Sequence, residues 1–146
     1  MRVDGRWLRC DDGVVRPTLQ AFVLTADETW VELTLLLDGG ADKTVFSARF
    51  LNQLLLLQIT RRGSTQLSGI GGSAQSIEIE TSLGFTRDDG QSVTVRGPFA
   101  VFVDVESADL SVLGRDVTNN FSVIYDYPNG VVALLAPPHF YEIKST

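Results

Sequence analysis

Hydrophobic and polar residues alternate along much of this chain, and that pattern predicts β-strands. Strand-like runs cover 18–25, 30–38, 44–47, 77–82 and 92–105. The sequence Ala-Asp-Glu-Thr at 26–29 predicts a hairpin loop, and Arg-Asp-Asp-Gly-Gln at 87–91 predicts a turn. A further hairpin is predicted over 121–138, where Pro-Asn-Gly supplies a turn proline and a residue that tolerates positive φ. We therefore expect an all-β domain with roughly seven to nine strands.

One stretch of the chain has helical spacing instead. Phe50, Leu51, Leu54, Leu55 and Gln58 recur at intervals of three and four residues, and Ser47 precedes them as a candidate N-cap. The spacing predicts one main helix over 48–58 whose leucines pack into the core. After it, residues 110–116 predict a buried strand that ends in glycine, and 117–121 predict a short helical turn.

Repeats, low-complexity tracts and linkers are absent from the sequence. With 146 residues, of which 44% are hydrophobic, the chain is long enough to bury one sizeable core. We expect a single domain over 1–146, with its core at 15–135, an N-terminal arm at 1–14 and a C-terminal tail at 136–146.

Composition narrows the possible functions. The net charge of −6 argues against nucleic acid or an anionic membrane as the main partner, and the longest apolar run, four leucines at 54–57, is too short to span a bilayer. Cys10 is the only cysteine, so an intrachain disulfide is excluded and a reducing compartment such as the cytoplasm is expected. His139 is the only histidine, which leaves little room for a Ser–His or Cys–His site or for a Cys/His zinc site. Any acid–base chemistry should therefore use carboxylates.

The candidate for such chemistry is Asp38 in the sequence LLLDGGADKTVF at 35–46, where a carboxylate ends an apolar strand and begins a glycine turn. Backbone amides in a turn of this kind can hold a carboxylate in place. Two carboxylates that share one proton supply a base and an acid together, because two like charges about 3 Å apart cannot both ionise. The chain contains one such element, so the second carboxylate would have to come from a second copy across a two-fold axis.

At this point the sequence resembles the retropepsins, the retroviral-type aspartic proteases, whose active-site loop reads Asp-Thr/Ser-Gly-Ala-Asp. Three further segments resemble that family in the same order along the chain: VRPTL at 15–19, the glycine-rich SGIGGS at 68–73, and SVLGRD at 111–116. The resemblance covers roughly residues 15–135. It implies a closed, orthogonally packed β-barrel with one main helix, a symmetric homodimer, and aspartic endopeptidase activity on peptide or protein substrates without a metal or organic cofactor.

The resemblance also implies roles for individual residues. Asp38 would be the catalytic carboxylate, Arg115 would pair with Asp42 below the site, and Arg16 would reach across the dimer toward the partner's Asp42. Gly39 and Gly114 would support the active-site loop. The residues implied in substrate binding are those of the loop, of the flap over the peptide and of the side-chain pockets: Gly40, Ala41, Asp42, Val45, Gly69, Ile70, Gly71, Gly72 and Val112.

Position 39 departs from the family pattern, because Gly39 stands where retropepsins have threonine or serine. In the family, that hydroxyl bonds the backbone of the partner's loop and locks the two aspartates face to face. Three interpretations are open: a natural glycine that is tolerated at lower activity, a non-catalytic relative that binds or dimerises without cutting, or an engineered change. The other aspartates considered, among them Asp116 and Asp126, are expected to be turn or surface residues.

Overall fold

The computed structural model describes residues 1–57, 64–69, 72–104, 110–140 and 142–144. Strands dominate this part of the chain. Eleven of them follow in order: β1 (Arg2–Asp4), β2 (Arg6–Arg9), β3 (Val15–Leu24), β4 (Trp30–Leu37), β5 (Val45–Phe46), β6 (Ser64–Gly69), β7 (Gly72–Thr86), β8 (Ser92–Phe102), β9 (Ser111–Leu113), β10 (Ser122–Asp126) and β11 (Val131–Leu135). The helical elements are short: two four-residue helices, α1 (Leu51–Leu54) and α2 (Arg115–Thr118), with 3₁₀ turns at Ala48–Phe50 and Leu55–Leu57.

The strands form two sheets. The larger has eight strands in the order β2-β3-β4-β9-β5-β8-β7-β6, and the smaller has three in the order β1-β11-β10. Strand β3 also pairs with β7, at Phe22–Gly84 and Val23–Leu83, so the larger sheet curls back on itself at these two residue pairs. The core lies inside this curl. Its fully buried side chains include Leu19, Leu35, Phe46, Ile79, Leu83 and Leu113.

Several predicted hairpins are confirmed. Strands β3 and β4 pair from Thr18–Leu36 to Leu24–Trp30, on either side of the predicted loop. Strands β7 and β8 pair up to Thr86–Ser92, and the turn between them closes with a bond from the Arg87 amide to the Gln91 carbonyl at 2.7 Å. Strands β10 and β11 flank the predicted Pro-Asn-Gly turn, where Gly130 has a φ of 69°.

The prediction of one main helix over 48–58 is wrong. The described part of this segment is a 3₁₀ turn, one turn of α-helix and a second 3₁₀ turn, although Ser47 does accept a bond from the Arg49 amide as a cap. The Gln53 carbonyl, which a continuing α-helix would direct to the amide four residues on, accepts instead from the Ala26 amide at 3.0 Å. Its leucines also do not share one buried face, since Leu54 is buried and Leu56 is 90% exposed.

The first fourteen residues contain strands that the sequence pattern does not indicate. Strand β1 pairs with β11, and β2 pairs with β3, so this segment extends both sheets and brings the strand count above the expected seven to nine. Within the described residues, no helix is long and apolar enough to cross a membrane.

Candidate active site

Asp38 follows the last residue of β4, and the alternation of that strand determines its position. Leu33, Leu35 and Leu37 are buried, so the strand is anchored in the core directly up to the carboxylate, which is itself half-buried. The Asp38 amide donates to the Leu113 carbonyl of β9 at 3.2 Å, and the Gly40 amide donates to Asp38 Oδ1 at 2.9 Å. The loop therefore holds the carboxylate by a backbone donor, as the sequence suggested.

The loop 38–44 is held from below by the segment 113–116. The Arg115 amide donates to the Ala41 carbonyl at 2.8 Å, and the Asp116 amide donates to the Asp42 carbonyl at 3.2 Å. Gly114, the residue before Arg115, packs against the backbone of Lys43. A β-carbon at position 114 would lie 2.4 Å from the Lys43 carbonyl carbon. The crossing of the two segments thus requires glycine at 114.

Thr44 and Asp116 form a clamp beneath the loop that the sequence did not predict. Thr44 is fully buried; its amide donates to both Asp116 carboxylate oxygens at 3.0 Å, and its hydroxyl donates to Oδ1 at 2.7 Å. The same hydroxyl accepts from the Gly114 amide at 3.0 Å. Asp116 is exposed, as the sequence analysis expects of a turn or surface residue, and its carboxylate also fixes the end of the loop. Its place in the helical turn after Gly-Arg is the only signal that could have indicated this.

Arg115 and Asp42 form an ion pair, with Nη2 of the arginine on Oδ1 of the aspartate. Nη1 of the same guanidinium lies 3.5 Å from the Gly39 carbonyl. Both side chains are substantially exposed, so the pair orients the loop more than it stabilises the fold; exposed pairs contribute about 0–1 kcal/mol.

Arg16 has an intrachain partner. Its two terminal nitrogens bond the two carboxylate oxygens of Asp12 at 2.8 and 2.7 Å, and this arginine, together with the Val14 amide, lowers the pKa of Asp12 to about 2. The contact of Arg16 with the partner's Asp42 stays a prediction.

The two glycines after Asp38 have different surroundings. At Gly40 a β-carbon would lie 3.2 Å from Asp38 Oδ1, in the space where the amide reaches the carboxylate. At Gly39 a β-carbon would meet nothing within 4 Å, and the backbone there is outside the left-handed region. Nothing within the single chain requires glycine at position 39.

The remaining predicted binding residues fall in three places. Val45 of β5 is buried and pairs with the half-buried Val112 of β9, close to the loop. Gly69 and Gly72 are paired residues of the β6–β7 hairpin. Ile70 and Gly71, at the predicted flap tip, lie outside the described residues.

An electrostatic effect of Asp38 on a tyrosine was also not predicted. Burial raises the pKa of Tyr125 on β10, and the negative charge of Asp38 raises it further. The single histidine, His139, bonds the Ser122 hydroxyl at 2.7 Å at the start of the same strand. Among the described residues, no group of three His, Cys, Asp or Glu side chains is arranged to hold a metal ion.

Comparison with solved structures shows the class of fold: it is similar to that of retropepsin-like aspartic proteases. The structure of a retropepsin-like aspartic protease from Rickettsia conorii matches with a TM-score of 0.56, covering 92% of this chain and 88% of that one at 18% sequence identity. The sequence itself matches no known protein-family profile. It also matches no characterised protein.

Proposed function

We propose that the chain is an aspartic endopeptidase whose active site forms between two copies, each contributing Asp38. The observation that carries this proposal is the loop geometry: a half-buried carboxylate at the end of a buried strand, held by the Gly40 amide and braced by Gly114, within a retropepsin-like fold. One chain supplies one such carboxylate, and hydrolysis by a proton-sharing pair requires two.

In the proposed reaction the two Asp38 carboxyls share one proton. The ionised one accepts a proton from water while the water oxygen bonds the scissile carbonyl carbon, and the protonated one donates to the carbonyl oxygen. The tetrahedral intermediate then loses its C–N bond as the leaving nitrogen takes a proton from the dyad. No covalent enzyme intermediate, metal or organic cofactor takes part.

The proposed peptide lies extended between the loop and the β6–β7 hairpin, where an added strand gains main-chain hydrogen bonds. Arg115 keeps the carboxylate of Asp42 at the edge of the loop, and Val112 offers a half-buried apolar surface beside it. The proposed substrate-contacting set is Gly40, Ala41, Asp42, Val45, Gly69, Ile70, Gly71, Gly72 and Val112. We propose the cytoplasm as the compartment, since Cys10 cannot form an intrachain disulfide.

Gly39 favours a second candidate function, a module that binds or dimerises around extended peptides without cutting them. Glycine removes the hydroxyl that the family uses to lock the two loops, and catalysis depends on carboxylate placement more sharply than folding does. Because a β-carbon at position 39 would meet nothing within 4 Å, threonine or serine can replace Gly39 without a clash inside the single chain.

The test is cleavage of a denatured protein mixture between about pH 4 and 7 by the purified chain. We expect Asp38→Asn to abolish cleavage and Asp89→Asn, in the turn between β7 and β8, to leave it intact. Gly39→Thr and Gly39→Ser should raise the rate, while Gly39→Ala, which restricts the backbone without a hydroxyl, should not. Cleavage only after the hydroxyl is restored supports the non-cutting module for the chain as it stands. If no variant cuts, the protease proposal is wrong.

A further inference from the structure

A cleft lies on the outer face of the larger sheet, where β3 meets β7. It encloses about 200 Å³ and is lined by Phe22, Trp30, Gly84, Ser92 and Thr94. Pockets for drug-sized ligands measure roughly 300–1,000 Å³, so this cleft has room for a single side chain. Trp30 begins β4 and Asp38 follows its end, about 26 Å away along the strand, so the cleft is separate from the candidate active site.

The indole of Trp30 extends along the sheet instead of out into water. Trp30 lies on β4 opposite Leu24 of β3, yet its six-membered ring would be 3.4–3.8 Å from a β-carbon on Gly84 of β7. The side chain therefore crosses β3 and rests against Gly84, while 47% of Trp30 stays exposed. Phe22 beside it is 36% exposed. The two rings form one aromatic surface that a ligand can reach.

A carboxylate lies beside this aromatic surface. Glu32 is directly opposite Phe22 in the β3–β4 pair and two residues from Trp30, so these side chains share one face of the sheet. The Glu32 carboxylate is exposed and has no ion-pair or hydrogen-bond partner among the described residues. Arg96, on the same face of β8, is already paired with Glu80 at 3.3 Å. The cleft therefore favours a ligand with a positive charge.

The other side of the cleft offers hydrogen-bond acceptors. Thr94 pairs with Gly84, and Ser92 follows the turn between β7 and β8. Neither hydroxyl has a hydrogen-bond partner within the part of the chain that the structure describes. The turn is fixed to β1, because the Asp88 amide donates to the Arg2 carbonyl at 2.8 Å and the Arg2 amide donates to Asp88 Oδ1 at 3.1 Å. It thereby covers the outer edge of β1 and holds the start of β8 in place.

We propose that this cleft binds the guanidinium of an arginine side chain on a polypeptide. A cation is attracted to the face of an indole, and a flat guanidinium can also stack on it. The guanidinium presents several N–H donors in one plane, which suits a carboxylate on one side and hydroxyls on the other. It would lie over Trp30, pair with Glu32 and donate to Ser92 and Thr94. Asp38 takes no part, so this site does not depend on the proposed catalysis.

The first test is NMR titration of the full chain with the peptide acetyl-Gly-Arg-Gly-amide, up to about 10 mM. The indole N–H resonance that is lost in Trp30→Leu should shift and saturate in the wild type. The Trp7 resonance is an internal control and should not move, because its N–H already donates to the Val131 carbonyl at 3.2 Å. A peptide with neutral citrulline in place of arginine should bind at least about tenfold more weakly. Equal binding of the two peptides, or no saturable shift at Trp30, would overturn the inference.

The second test asks whether the local carboxylate is responsible. Glu32→Gln changes an exposed side chain at nearly constant size, and it should weaken binding of the arginine peptide about fivefold or more. Asp11→Asn is the matched control: it removes one negative charge from an exposed turn and should leave the affinity within about twofold. Equal weakening by both variants would show a general attraction to an acidic protein and rule out the site. If Trp30 serves only to cover Gly84, Trp30→Leu lowers the free energy of unfolding while the wild type binds no peptide, which refutes the proposal.

Discussion

Gly114 lies so close to Lys43 that a β-carbon on it would come within 2.4 Å of the Lys43 carbonyl carbon. We expect Gly114→Ala to destabilise the fold by about 1–3 kcal/mol or more, since the neighbour is backbone and cannot turn aside. Gly39→Ala is the control: with open space around it, the change should be neutral or stabilising by about 0.4–1 kcal/mol. Denaturant unfolding measures the free energy of unfolding of both variants. Equal effects would contradict the close approach of Gly114 to the Lys43 backbone.

Asp116→Ala should cost about 1–3 kcal/mol of stability, because it removes the acceptors of a buried amide and a buried hydroxyl on Thr44. Asp11→Ala, at an exposed turn residue, should change the unfolding free energy by less than about 0.5 kcal/mol. A cost at Asp116 no larger than at Asp11 would show that the clamp does not hold the loop.

The ion pair of Asp12 with Arg16 predicts an acid dependence of stability. The pKa of Asp12 is about 2 in the folded chain, below its ordinary value of 3.8, so the unfolded chain takes up the proton first as pH falls. The contribution of Asp12 is present above about pH 4 and is lost as pH falls toward 2. The difference in unfolding free energy between wild type and Asp12→Asn should therefore shrink across this window. A constant difference would contradict the pairing.

The pKa of Tyr125 should respond to its neighbour. Asp38→Asn removes the negative charge and should lower the Tyr125 pKa toward the ordinary value of about 10, while burial keeps part of the increase. Carbon NMR of labelled tyrosine resolves this residue from the other two. Asp42→Asn is the control and should leave the Tyr125 pKa unchanged; an equal effect from both variants would remove Asp38 as the cause.

Local sequence was enough to predict the β-rich class, the hairpins and Asp38 at the end of a strand. These depend on alternation and turn chemistry among neighbouring residues. The pairing of Arg115 with Asp42 was reached through family resemblance instead, since nothing local links two residues so far apart.

What could not be predicted depends on contacts between distant segments. The helix over 48–58 stays short where the Gln53 carbonyl turns to Ala26 of another loop, and the Thr44–Asp116 clamp joins positions 72 apart. Strands β1 and β2 likewise form because β11 and β3 offer edges to them. Propensity carries no information on any of these partners.

The covered edge at β1 has a consequence for stoichiometry. A sheet open on both sides can add chains at each end and grow without limit, whereas a sheet with one open edge has used it once a single neighbour is in place. With the turn at Asp88 bonded to Arg2, the β1 edge of the three-stranded sheet is closed to the addition of another strand. The short turn that caps β1 thus removes one of the two edges that filament growth through this sheet would need.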